Sequence, residues 1–315
     1  MIVRWSLDEL RPTLAEVGIR RPFVIASERW RSLDLPHVGW WSEVPAVDVP
    51  IPADADGILG VGGGSAIDTA KHASAETGLP VVHVPTTYSG AEWTTFYGIR
   101  SPDRIIRGGG AGANPVALVY DVALTLDLPH DVTAGTALNG LAHCAEALYA
   151  KNHSPEGDVQ ALAGARLIAT ALPQVLNRPR DEDARAELLR GAAHAGHALG
   201  LAGLALAHAM AQALGGTYGL PHGAMNALCL PPALEFNSAL VPEAIGRFAD
   251  AVGGDAVETS RALALAGGFE SLRQFGVPED DLPRVAEAAA QRGGNQANPR
   301  PARPGEILTL FRKIY

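Results

Sequence analysis

Asn139 and His143 stand four residues apart in 136-TALNGLAHCAEALY-149, a run with helical period, so both side chains project from one face. Two polar groups aimed inward from an apolar helix suit half of a metal site, yet position 139 carries a neutral amide where a divalent cation favours a carboxylate. Two more histidines follow in 208-HAMAQALGGTYGLPHG-223. His208 falls in an apolar helix and His222 just after a Gly/Pro-rich turn. Any one of them alone reads as a satisfied structural histidine, the reading given to His72, His194 and His197. Taken together, His143, His208 and His222 give three imidazoles, each on a helix or helix end facing the expected interdomain cleft.

A second kind of chemistry lies in 60-GVGGGSAIDTAK-71. A short apolar run feeds three glycines, then Ser65 and a helical segment, so backbone N–H groups at the positive end of that helix can approach a diphosphate. The pattern is neither GxGxxG nor a Walker A sequence, and a tight strand-to-helix connection reads the same way. The next strand ends in 85-PTTYSGAEWT-94, which gathers hydroxyls on the same edge of the sheet. Two polar loops on one carboxyl edge favour a nucleotide crevice. Gly62, Gly63, Gly64, Ser65, Asp68, Thr86, Thr87 and Ser89 are the candidate cofactor contacts. In 24-VIASERWR-31, Glu28 offers a carboxylate to ribose hydroxyls and Arg29 a cation to a ribose phosphate, so either kind of nucleotide is expected.

These residues need two scaffolds, and the chain changes character near residue 125 to supply them. Before that point, β-branched runs at 23–27, 57–61, 80–85 and 116–120 alternate with helical segments, which implies a mostly parallel, Rossmann-like sheet. After Pro129 the pattern is Ala/Leu-rich with helical period, as in 158–176, 181–200 and 279–291. The expectation is an α/β dinucleotide-binding domain over 1–124, an all-α catalytic domain over 125–315, and an active site in the cleft between them. A length of 315 residues suits two domains.

Composition narrows the partners. A net charge of −9 gives no footprint for nucleic acid or an anionic membrane, so an anionic substrate needs a local cationic pocket. The almost wholly Ala, Leu and Gly run 195–216 imitates a membrane span but carries His197, His208 and Gln212, and reads as a central buried helix. Two cysteines, Cys144 and Cys229, lack disulfide spacing and read as buried thiols of a reducing compartment. With no signal-peptide pattern at the start, cytoplasm is the default expectation.

In this order, GGGSAIDTAK, PTTYSGAEWT, VALVYDVALTLDLP, ALNGLAHCAEALYA and the pair His208 and His222 resemble the iron-containing alcohol dehydrogenase family, from about residue 55 to the C-terminus. The likeness is greatest to its maleylacetate reductase branch, through PTTYxG, YDxALTLxLP, Asn139 and the late 298-NPRP-301. The resemblance implies a homodimeric NADH- or NADPH-dependent reductase acting on a small anionic oxo or unsaturated acid. Metal-dependent members place an Asp and three His around the ion. The matching positions are Asn139, His143, His208 and His222, so the three histidines are the ligands if a metal is present. The amide predicts that none is required, with imidazole N–H groups stabilising an enolate or alkoxide instead. Arg100, Arg104, Arg107 and Lys151 are candidates for the substrate's carboxylates.

Three departures from the family stand out. Many relatives carry a second histidine one turn after the first, where this chain has Gln212, which cannot shuttle a proton. The run 221-PHGAMNALCLPPALEFN-237 is closer to the alcohol dehydrogenase branch. Residues 28–56 are too few for the usual helix, strand and helix, so one helix is expected to be lost, with Trp40 and Trp41 patching the gap or forming a partner surface. The alternatives are a metal-dependent alcohol dehydrogenase and a homologue that binds ligand without turnover.

Overall fold

The computed structural model describes residues 1–100, 105–108, 113 and 115–315. The chain divides into two units, Met1–Thr125 and Leu126–Tyr315.

The first unit contains β1 (Ile2–Arg4), α1 (Leu10–Glu16), β2 (Pro22–Ile25), β3 (Gly39–Trp41), β4 (Gly57–Gly62), α2 (Gly64–Thr77), β5 (Val81–Pro85), β6 (Tyr97–Arg100), β7 (Ile105–Gly108) and β8 (Pro115–Val119). Six strands form one sheet in the order β1-β8-β5-β4-β2-β3, and every pair in it is parallel. β6 and β7 pair antiparallel as a separate ribbon. The central strands are covered on both faces, which is why they read as unbroken apolar runs: Ile58, Leu59, Val61, Val81, Val82 and Val84 are all fully buried. From β2 the chain moves outward to β3, then returns to β4 and continues the other way to β5. The carboxyl ends of β2 and β4 therefore flank the point where the winding reverses, the place where open parallel sheets bind ligands.

The segment 28–56 keeps a strand and loses both helices. Only a single 3₁₀ turn, Glu28–Trp30, precedes β3, and no α-helix follows it. Trp40 and Trp41 are the body of that strand. The Trp40 indole donates to the Ala26 carbonyl at 2.8 Å and packs into the core on one face of the sheet, while Trp41 packs on the other. Successive side chains of a strand point to opposite faces, so the pair packs on both sides of this edge strand.

The second unit is built from α3 (His130–Ala147), α4 (Pro155–Asn177), α5 (Glu182–Ala202), α6 (Leu206–Tyr218), α7 (His222–Ser238), α8 (Pro242–Val252), α9 (Ala256–Ala266), α10 (Leu282–Ala290), α11 (Gly293–Ala297) and α12 (Pro304–Lys313). α3 is the central helix, with nearly every residue from Thr133 onward buried, and it packs against α4, α5 and α7. Small residues set these close approaches: a Cβ at Gly164 would lie 2.8 Å from the buried Cys144 sulfur. Cys144 and Cys229 are both buried free thiols.

The apolar run 195–216 is not one helix. α5 ends at Ala202, Gly203 turns with φ +80°, and α6 starts at Leu206 with its axis bent 99° from that of α5. Only glycine takes that left-handed conformation without cost. The break moves His208 from the middle of a long helix to the first turn of a short one. Behind that turn, the 298-NPRP-301 segment is pinned by a buried reciprocal amide pair, Asn237 and Asn298, at 3.0 and 2.8 Å.

Candidate active site

In the first unit, the glycine loop and the hydroxyl loop lean on each other. Gly62 has φ +147°, and a Cβ there would sit 2.8 Å from that of Ala66. Gly63 is the N-cap of α2, which begins without a side-chain cap. A Cβ on Gly63 would reach Thr87 Cγ2 at 2.9 Å, and one on Gly64 would come within 3.9 Å of Ser89 Oγ. The buried Thr86 donates its N–H to the Gly62 carbonyl at 3.0 Å, and Thr87 Oγ1 lies 3.5 Å from Ser89 Oγ. Ser65 is exposed in the first turn of α2. A bare helix N-terminus beside Gly62 and Gly63, where a Cβ would crowd Ala66 and Thr87, faced by hydroxyls, fits a dinucleotide diphosphate.

Asp68 has other partners. Its carboxylate pairs with Lys71 Nζ at 2.8 Å and accepts the Gly98 N–H at 3.0 Å. Lys71 is fully buried and donates to the carbonyls of Ala91 and Phe96 and to Thr94 Oγ1. This brace fixes the stretch that follows the hydroxyl loop. Lys71 was legible only as the residue one turn beyond Asp68 on α2.

In the second unit, α3, α6 and α7 bring the catalytic candidates together. Asn139, His143 and His208 are all buried. The His143 and His208 rings stack with centroids 4.6 Å apart and planes 14° apart, and the His208 and His222 centroids are 5.6 Å apart. His222 heads α7, where a Cβ on the next residue, Gly223, would collide with the Gly135 backbone of α3. That contact, closed to any other residue, holds the start of α7 against α3.

Two residues not foreseen from the sequence complete the cluster. Glu146 is fully buried and lies on the same face of α3 as Asn139 and His143. Its Oε2 lies 2.7 Å from His208 Nδ1 and accepts the Ala205 N–H at 2.7 Å, while Oε1 accepts the His208 N–H at 3.1 Å. Asn226, one turn into α7, donates from Nδ2 to Asn139 Oδ1 at 2.8 Å, to His222 Nε2 at 3.0 Å and to the His222 carbonyl at 3.3 Å. Helical spacing was the available signal: seven residues from Asn139 to Glu146, four from His222 to Asn226.

The network has a polarity that starts from a backbone group. The His222 carbonyl can only accept, so it orients the Asn226 amide with its NH₂ inward. Asn139 Oδ1 then accepts, and it lies 3.2 Å from His208 Nε2. His208 thus faces an amide oxygen on one ring nitrogen and a carboxylate on the other, a pattern completed by a proton on each. His222, accepting at Nε2, keeps its proton on Nδ1. His143 is held neutral, its pKa well below the ordinary value, by burial first and then by its nearness to the His208 and His222 rings. The His222 pKa is lowered too, by desolvation first and His208 second, although the residue stands open at the surface on one side, which limits the depth of that shift. The cluster is therefore one imidazole paired with a carboxylate, flanked by two neutral rings.

This arrangement does not fit a metal ion. Metal bonds to imidazole lie in the ring plane at about 2.1 Å, and two stacked, nearly parallel rings cannot both direct such a bond at one ion. Asn139 Oδ1 already faces two donors. Among the described residues, no group of three or more His, Cys, Asp or Glu is placed to hold an ion.

Of the candidate cations, only the Lys151 side chain is among the described residues. Lys151 is exposed, with Nζ on the Gln296 carbonyl at 2.7 Å. Arg104 lies outside the described residues, as do the side chains of Arg100 and Arg107. Gln212 is half-buried one turn after His208, and its carbonyl accepts from Arg292 at 3.1 Å. His72 packs on Tyr97 with centroids 5.2 Å apart, and His194 bonds Gln160 at 2.7 Å.

Comparison with known proteins agrees with this fold. Residues 46–122 match the model for iron-containing alcohol dehydrogenase, and residues 133–315 match that for the C-terminal part of the Fe-containing alcohol dehydrogenase family. The chain belongs to the iron-containing alcohol dehydrogenase family, and it is an NAD(P)H-dependent oxidoreductase. Within the family it is 33% identical to a maleylacetate reductase of Pseudomonas knackmussii over 98% of this chain and 93% of that protein. It superposes on the crystal structure of maleylacetate reductase from Agrobacterium tumefaciens with a TM-score of 0.91 at 29% identity, covering 100% of this chain and 95% of that one. The iron-containing alcohol dehydrogenase of Corynebacterium glutamicum gives a TM-score of 0.91 at 31% identity, over 100% and 94% of the two chains.

Proposed function

We propose that the protein reduces maleylacetate, or a close unsaturated oxo dicarboxylic acid, to the saturated 3-oxo acid, using NADH or NADPH and no metal. The observation that carries this reading is the His208–Glu146 pair, set among two neutral imidazoles and an amide where metal-dependent relatives use an acidic ligand. The bound nicotinamide supplies a hydride to the alkene carbon conjugated with the ketone. Negative charge then collects on the ketone oxygen as an enolate, and His208 and His222 are the N–H donors that stabilise it, with His143 in support. The neighbouring carbon takes one proton, so the net change is one hydride and one proton added across the double bond, giving 3-oxoadipate from maleylacetate.

Each residue has a defined task in this reading. His222, open on one side, is the member of the cluster that regains a proton from water. Gln212 orients groups but moves no proton. Gly62, Gly63, Gly64 and Ser65 hold the diphosphate, with Thr86, Thr87 and Ser89 facing it, while Asp68 serves through its brace to Lys71. Glu28 and Arg29 follow β2 at the switch point, which supports use of both cofactors. We place the enzyme in the cytoplasm as a homodimer; the free thiols of Cys144 and Cys229 suit a reducing compartment.

Metal-free enzyme is to be offered maleylacetate, other oxo-enoic acids and simple aldehydes with each nicotinamide, following loss of reduced cofactor. Turnover of the oxo-enoic acid with both cofactors is expected. Turnover only of simple aldehydes, and only after Fe²⁺ or Zn²⁺ is added, would overturn the reading.

A further inference from the structure

A heavily used buried side chain of the cluster is one to which the proposed reaction assigns no step. Glu146 receives three donors on two oxygens: the ring Nδ1 of His208 and the backbone N–H groups of Ala205 and His208. Ala205 is the N-cap of α6 and His208 lies three residues on. α6 has no side-chain cap of its own, so a carboxylate from α3 takes both roles of a capping box across helices and sits at the positive end of the α6 dipole. The same carboxylate grips the imidazole that its cap has just placed. Backbone and ring of His208 are thus fixed by one group, while Asn226 and Asn139 orient the opposite nitrogen.

We propose that Glu146 is the positioning residue of the reaction: it fixes the orientation of the His208 ring with the proton on Nδ1, so that Nε2 is the nitrogen offered to the substrate oxygen. A carboxylate suits this place and an amide does not. Gln in the same position must turn its NH₂ toward one of the two sites where donors converge, either the His208 N–H or the Ala205 N–H together with the ring. The ring escapes that clash only by giving up its Nδ1 proton or rotating away. The first change leaves Nε2–H a weaker, neutral donor and the second turns it away from the enolate, in both cases without removing His208.

The proposal rests on the reductase reading for its rate measurements but not for its spectroscopic one. In wild-type protein labelled with ¹⁵N-histidine, long-range proton–nitrogen correlations should show a protonated Nδ1 at His208, assigned by its loss in His208→Ala. An unprotonated Nδ1 overturns the proposal whatever the substrate proves to be. In kinetics with maleylacetate, Glu146→Gln should lower kcat about tenfold to hundredfold, with KM for substrate and nucleotide within about threefold of wild type. Glu146→Asp, which keeps the charge on a shorter arm, should fall between. The decisive step is the double variant. If Glu146 acts through His208, adding Glu146→Gln to His208→Ala costs little further kcat, whereas a merely structural cap gives losses that multiply. Multiplying losses, or an unchanged kcat in Glu146→Gln, refutes the proposal. If wild type does not reduce maleylacetate, the reductase reading fails and the spectrum alone decides the role of Glu146.

Discussion

Removing His208 and His222 one at a time should separate catalysis from packing, and the structure sets the size of each effect. His208→Ala takes one of three donors from the buried Glu146 carboxylate but leaves the Ala205 and His208 backbone N–H groups, at 2.7 and 3.1 Å. The loss should resemble that of one charge-assisted hydrogen bond, about 1.5–3 kcal/mol, and stay below the 3–5 kcal/mol typical of a buried ion pair left without its partner. With Tm moving roughly 2–4 °C per kcal/mol in a domain of this size, a fall of about 3–12 °C follows, and the variant remains folded. His222→Ala touches no buried carboxylate; its described hydrogen-bond partner is Asn226, and Tm should move by no more than about 3 °C. Turnover should follow a different order. A donor aligned on a developing oxyanion is worth about 10²–10³ in kcat, near 2.7–4 kcal/mol, so both variants should lose most activity even though only one loses much stability. The glycine loop belongs to the other unit, so nucleotide titrations should match wild type. Steady-state kinetics with maleylacetate, nicotinamide fluorescence titration and thermal melts together make the test. Near-normal kcat in both variants would show that the cluster is core packing, and the mechanism would fall with it.

The chelation test follows from Asn139: enzyme stripped with EDTA should keep most of its rate, and complete loss restored by Fe²⁺ or Zn²⁺ would place the chain in the metal-dependent branch. Gly63→Val should raise KM for the nucleotide at least about tenfold, near 1.4 kcal/mol, because its side chain enters the space of Thr87, 2.9 Å from the position of a Cβ; unchanged nucleotide affinity would show that the two loops do not form the cradle. Acid stability should depend on His83, whose ring is fully buried with neither nitrogen partnered among the described residues. Burial first, then Lys71, lowers its pKa from 6.5 to about 3. Its contribution to stability is present above the unfolded value and is lost as pH falls from about 6.5 toward 3, by about 3–5 kcal/mol. Glu92 acts in the opposite sense: burial raises its pKa to about 7 despite the Tyr120 hydrogen bond, so its contribution is present below 4.5 and lost as pH rises to about 7. Denaturant melts of His83→Leu should therefore lose less stability between pH 7 and pH 4 than wild type, and parallel pH curves would refute the assignment.

What the sequence disclosed was what local pattern controls. The strands at 57–62 and 81–85 and the helices from 155 and 182 announce themselves by composition and period, because burial on two faces or on one stripe leaves a repeating trace. The glycine turn was legible because few residues other than glycine fit it. Features set by distant contacts were not. Gly203 sits among other glycines in an Ala/Leu run, so the end of α5 has no mark of its own. The start of α6 is fixed by Glu146, 59 residues before the Ala205 N–H it accepts. β3 is three residues long and Trp-rich, too short for alternation to show. The seven-residue spacing of Asn139 and Glu146 was present in the sequence, but a buried carboxylate becomes meaningful only when the helix that supplies its donors is known to break.

The amide at position 139 follows from that same carboxylate. His208 lies between Asn139 Oδ1 and Glu146, 3.2 and 2.7 Å from its two ring nitrogens. A second carboxylate at 139 would bind the Nε2 proton as firmly as Glu146 binds that on Nδ1, and would repel an enolate forming beside it. A neutral oxygen, itself oriented by Asn226 from the His222 carbonyl, accepts that proton weakly, at 3.2 Å against 2.7 Å on the Glu146 side. The longer bond is the one an enolate oxygen can displace. With an ion in the site, a carboxylate at 139 would be neutralised by the metal and the geometry would tolerate it. Without one, Asn is the side chain of that size that fills the position, completes the network and leaves the charge where the reaction needs it.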